Sequence, residues 1–137
     1  MENWEQVFSK AEDSGVYPIE DDGIPDVRKA AAIAGLTVFC LNLADVNGKA
    51  GFMRAIAKTL HFPHYFGSNW DALEDCLTDL SWLQAKGYVL LFQNMNKFDS
   101  RAPDEATMLR TILQNAAKYW KRLGVRFFAV LEGINPA

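Results

Sequence analysis

Hydrophobic residues recur along the chain with two periods, 3.6 and near-continuous, and the two alternate. Residues 3–13 place Trp4, Val7, Phe8 and Ala11 at i, i+3, i+4 and i+7, which predicts a short amphipathic helix. Asn3 with Gln6 three positions later resembles a capping box, and Ser14-Gly15 ends the helix. Residues 16–25, with Pro18, Asp21-Asp22-Gly23 and Pro25, read as an acidic turn region. An Ala-rich helix is expected over 26–34, stopped by Gly35. Leu36 to Asn42 is almost unbroken apolar sequence, as in a strand buried on both faces of a parallel sheet. A helix over 49–60 turns Phe52, Ile56 and Leu60 inward. A second strand is expected over 88–92, a loop over 94–102, and a long helix over 103–123. Its stripe is Leu109, Ile112, Leu113, Ala116, Trp120 and Leu123. A last strand covers 125–131. Strands separated by helices predict an α/β fold with a parallel sheet.

The stretch from Phe62 to Leu83 departs from this regularity. Pro63 and Gly67 predict a turn, with Gly67 permitting the bend, and Ser68 or Asn69 can cap a following helix. On that helix Trp70, Leu73, Cys76, Leu77 and Leu80 share one side, while Asp71, Glu74, Asp75, Thr78 and Asp79 share the other. Trp82 projects toward the acidic side if the helix continues, or packs under a neighbouring loop. From Thr59 to Ala85 there are four acids and no Lys or Arg. The chain has 17 acids and 14 Lys or Arg, so this stretch holds all of its net negative charge of −3. Asp71 suits the positive end of a helix, but Asp75 and Asp79 lie beyond the first turn, and like charges at i and i+4 weaken a helix. An acidic row of this kind is either a solvated face or a surface for a cationic partner.

The rest of the composition narrows the classes. A length of 137 residues suggests one domain with a sizeable core, and the composition is that of a globular protein. A net negative chain is a poor general nucleic-acid binder. No run of transmembrane length occurs and Met1 to Glu5 does not open a signal peptide. Cys40 and Cys76 read as buried free thiols, and the expected location is cytoplasmic. His61 and His64 with Asp71 and Asp75 offer a metal reading, but Pro63 interrupts the helix that would align the histidines. Gly48-Lys49-Ala50-Gly51 lacks the spacing of a phosphate loop. Tyr119-Trp120-Lys121-Arg122 is explained by a core Trp and bases at a helix end. No cofactor or metal is expected.

The ungapped run Phe62-Pro63-His64-Tyr65-Phe66-Gly67-Ser68-Asn69-Trp70-Asp71-Ala72-Leu73-Glu74-Asp75-Cys76-Leu77-Thr78 resembles the barstar family of ribonuclease inhibitors. The resemblance in element order covers about residues 36–131. It implies a three-stranded parallel sheet flanked by helices, with residues 1–35 as a short helical N-terminal extension packed on the 36–137 domain. It also implies a protein without catalysis of its own, monomeric when free, that plugs a basic ribonuclease with a loop and an acidic helix. On that pattern Asp75 enters the phosphate site, Asp71 pairs with a neighbouring cation, and Tyr65 is the aromatic anchor. Thr78 sits at the edge, and Glu74, Asp79 and Trp82 lie around it. Two positions depart from the pattern. Glu74 stands where smaller members carry Trp, and Tyr119 stands where they carry an acidic contact residue on the last helix. These departures motivate an alternative, an immunity protein against a different nuclease toxin. A metal-dependent hydrolase is a distant third, resting on the His/Asp cluster alone.

Overall fold

The computed structural model describes residues 3–64 and 66–133. Four parallel strands form one sheet in the order β1-β4-β3-β2. They are β1 (Gly15–Ile19), β2 (Thr37–Asn42), β3 (Tyr88–Gln93) and β4 (Phe127–Glu132). The helices are α1 (Trp4–Val7), α2 (Ile24–Ala34), α3 (Lys49–Thr59), α4 (Trp70–Leu77), α5 (Met95–Arg101) and α6 (Pro103–Arg122). The period-2 alternation of the strands divides the interior into two cores. Leu90, Phe92, Phe127, Ala129 and Leu131 meet residues of α3, α4, α5 and α6. Val89, Leu91, Phe128 and Val130 meet Trp4, Phe8 and α2 on the other face. Helices on both faces of a parallel sheet make this an α/β protein.

The sheet has a fourth strand where a turn region is expected. Gly15-Val16-Tyr17-Pro18-Ile19 pairs along β4, from Gly15 beside Phe128 to Ile19 beside Glu132. Pro18 hides this strand from a reading by propensity. It is tolerated because Ile19 accepts from Gly133 N, which turns the odd residues to β4 and Pro18 to the open edge. The expected helix over 3–13 is α1 and a separate 3-10 turn over Ala11–Asp13. Asn3 Oδ1 does cap it, accepting from Gln6 N. The loop expected over 94–102 contains α5. Asn94 enters it in the left-handed region at φ 62°, with its N–H held by Glu132 Oε2 at 2.9 Å, and Met95 and Phe98 are buried.

β2 lies at an edge rather than between two strands, so Val38, Phe39 and Cys40 are only half-buried. Two glycines are required by geometry. Gly35 ends α2 at φ 76°, and a Cβ on Gly87 would come within 2.5 Å of Leu36 and 3.0 Å of the Arg126 carbonyl. Among the described residues no helix is long and apolar enough to cross a membrane.

Candidate functional site

α3 ends where His61 adopts φ 54°, and the chain turns through Pro63, whose carbonyl accepts from Phe66 N at 3.0 Å. Phe62 stands edge-on to both Phe66 and Trp82, at 4.8 and 5.8 Å between ring centroids. Tyr65, the expected anchor, lies outside the described residues. Among the described residues that follow Pro63 in the turn, Ser68 is left-handed, at φ 54°, and Gly67 is not. Asn69 then caps α4, its Oδ1 accepting from Ala72 N at 2.8 Å.

α4 is eight residues long and is held from three sides. Leu73, Cys76 and Leu77 are buried, and Trp70 stacks on Phe52 at 5.9 Å. The Trp120 indole of α6 donates to the Leu77 carbonyl at 2.7 Å, satisfying one of the acceptors a helix end leaves open. Glu74, half-buried, accepts from Asn115 Nδ2 of α6 at 3.1 Å. It is therefore tied sideways, whereas Asp71 and Asp75 are exposed on the outer surface of the helix. Among the described residues neither is in an ion pair. Among the described residues the row has no ion-pair partner.

The helix is shorter than the sequence pattern predicts. The Thr78 hydroxyl bonds back to the Glu74 carbonyl at 2.9 Å, and Leu80 turns at φ 52°. Asp79 therefore lies past the helix, exposed, and its Oδ1 accepts from Ser81 N at 3.3 Å. Trp82 does not extend the helix face. Its indole donates to the Leu60 carbonyl at 2.9 Å and packs on Phe62, which is the loop-packing arrangement. Asp71, Asp75, Thr78 and Asp79 thus follow one another along one end-to-end strip, with Glu74 on its α6 flank. On that same flank α6 exposes Tyr119, at 36 %, one turn after Asn115. Nothing in the apolar period marks Asn115 in advance, because a polar residue on a solvated helix face carries no signal of its partner.

Cys76 is buried, and its thiol is pushed above the ordinary value first by burial and then by Asp79 and Asp75, so it is a poor nucleophile. Among the described residues no group of three His, Cys, Asp or Glu could hold a metal ion. An exposed carboxylate row suits a cluster of guanidinium or ammonium groups.

A family model described as Barstar (barnase inhibitor) matches residues 36–132. A comparison with curated proteins finds no match. Among solved structures the chain is similar to the Aeropyrum pernix ORC2 protein, determined in ADPNP-ADP complexes. The TM-score is 0.62 at 19 % identity, over 96 % of this chain and 39 % of that one. The chain thus spans well under half of that protein's length, and at this identity the likeness is one of fold.

Proposed function

The chain belongs to the barstar family of barnase inhibitors, and from that premise we propose that it inhibits a cationic ribonuclease by laying the outer face of α4 into the enzyme's active site. One observation carries this reading. Asp71 and Asp75 are exposed on consecutive turns of a helix fixed by Asn69, Trp120 and Asn115, and no cation of the described chain neutralises them. A ribonuclease holds cations around the scissile phosphate, and carboxylates placed there satisfy them and exclude RNA. Asp75 is assigned to the phosphate position and Asp71 to a neighbouring cation. Tyr65 supplies apolar contact at one end and Thr78 and Asp79 border the other. Trp82 supports the loop beneath. The opposite charge also accelerates encounter.

The immunity-protein alternative rests on the flank. Glu74 is engaged by Asn115 and Tyr119 is exposed beside it, so a partner meets an aromatic surface there. The two readings share the α4 face and differ in the nuclease that fits it.

The test is inhibition of a barnase-type ribonuclease by wild type and Asp75→Asn, with thermal melting on the same samples. Removing one partner of a desolvated ion pair costs about 3–5 kcal/mol, at least a hundredfold in affinity. Full inhibition by a folded Asp75→Asn protein would sink the mechanism. Wild-type inhibition of a toxin nuclease but not of the barnase-type enzyme would select the alternative.

A further inference from the structure

The two edges of the sheet are finished differently. β1 presents Pro18 outward, a residue with no N–H to offer a further strand. β2 reads Thr37-Val38-Phe39-Cys40-Leu41-Asn42, with no proline, glycine or charge. Thr37 N donates to the Gly87 carbonyl and Leu43 N to the Gln93 carbonyl, so the odd residues face β3. The peptide groups of Val38 and Cys40 consequently face away from the sheet.

The surroundings of this edge carry chemistry on both faces. On the α3 side Phe39 is half-buried beside a shallow dip, with room for about one water, that Leu41, Thr59 and Phe92 also line. On the α2 side the Arg28 guanidinium reaches across to Cys40, with Nη2 2.8 Å from Sγ. A thiol is a weak acceptor, and among the described residues Arg28 is paired with no carboxylate. Helices α2 and α3 together carry five Lys or Arg, Arg28, Lys29, Lys49, Arg54 and Lys58, against the single acid Asp26, and the segment between them adds Asp45. β2 thus has one open edge, lying between a helix that offers Arg28 and Lys29 and a helix, α3, that carries three cations and no acid.

We propose that the β2 edge binds an extended acidic segment of another protein by strand addition. The segment pairs its backbone with Val38 and Cys40, lays an apolar side chain against half-buried Phe39, and places a carboxylate on Arg28. Charge selects this occupant over a second copy. A two-fold pairing of β2 with itself sets α2 against α2 and α3 against α3, bringing like cations together. The surface shares no residue with the α4 face, so it stands whether or not the chain inhibits a ribonuclease.

The probes are two blocked octapeptides, one alternating glutamate with valine and one alternating lysine with valine, titrated into the 15N-labelled full chain. The glutamate peptide is expected to shift and protect the amides of Val38 and Cys40. Arg28→Gln, at an exposed position, should weaken it about tenfold, the scale of one charge-assisted hydrogen bond. Equal binding of both peptides, binding that leaves those two amides unprotected, or no binding of the glutamate peptide at millimolar concentration would overturn the proposal. So would a dimer in sedimentation whose formation protects the same amides, which would give the edge to a second copy.

Discussion

Phe8→Ala tests whether the N-terminal residues are part of the domain's cohesion or lie upon it. The Phe8 ring is fully buried, 4.8 Å from Phe128 of β4 and 5.3 Å from Trp4. Its carbonyl accepts from Arg126 at 3.1 Å, so the backbone there is tied to the start of β4 as well. Truncating a fully buried Phe to Ala removes the transfer energy of the ring and leaves a cavity, at about 3–5 kcal/mol. Unfolding entropy near 2.1 cal/mol/K per residue gives about 290 cal/mol/K for a chain of 137 residues. The expected fall in Tm is therefore about 10–17 °C, measured by calorimetry. Phe8 belongs to the core on the α2 face of the sheet, while α4 packs on the other. Ribonuclease inhibition measured well below both melting temperatures should be unchanged. A fall of less than about 3 °C would refute the reasoning and make residues 3–19 an appendage. Loss of inhibition with the melt intact would put the segment in the interface instead.

Three further outcomes follow from the geometry around α4. Asn69→Ala removes the cap on Ala72 N and should cost about 1 kcal/mol, seen as a lower urea midpoint at unchanged slope. Trp120→Phe leaves the Leu77 carbonyl without its donor and should cost about 1–3 kcal/mol, with the amides of α4 exchanging faster than those of β3. Burial, aided by Asp79 and Asp75, raises the Cys76 thiol above 9.0, so the unfolded chain releases this proton first as pH rises. The contribution is fully present below the unfolded thiol's pKa and is lost as pH climbs through the folded one. Stability should therefore decline above about pH 9, and Cys76→Ala should flatten that decline in melts run from pH 7 to 10.

The elements with strong periods were legible and the ones governed by single contacts were not. β3, β4, α3 and α6 show in the sequence because each buries a continuous run or a full helical stripe. β1 did not, because Pro18 and the acids after it carry turn chemistry, and only its place at an edge makes the proline harmless. α5 did not, because its first turn is held by Glu132, thirty-eight residues away in the chain. The acidic row could be read residue by residue, yet its end could not. The stop after Leu77 comes from the Thr78 hydroxyl and the left-handed Leu80, neither of which interrupts the apolar spacing. Glu74 shows the same limit: it sits on the expected side of the helix and is turned to Asn115, whereas Trp82 takes the loop-packing arrangement that the sequence left open, donating to Leu60.

The stability of α4 explains why those internal partners matter to recognition. Eight residues are too few for a helix to persist in water, and Asp71 and Asp75, one turn apart, repel each other. What holds the helix is tertiary: the Asn69 cap, the Trp70–Phe52 stack, and the two reaches from α6 to Leu77 and Glu74. The acids are therefore fixed before any partner arrives, and binding need not spend free energy on ordering them. The same arrangement makes the row locally unfavourable in the free protein. Asp75→Asn should then raise the melting temperature slightly while it weakens inhibition, since relief of an i,i+4 repulsion is worth a few tenths of a kcal/mol. Opposite signs in the two measurements are the signature of a surface kept for its partner. If both fell together, Asp75 would instead be supporting the fold, and the ordering of α4 would have to come from a contact of Asp75 that the free protein uses.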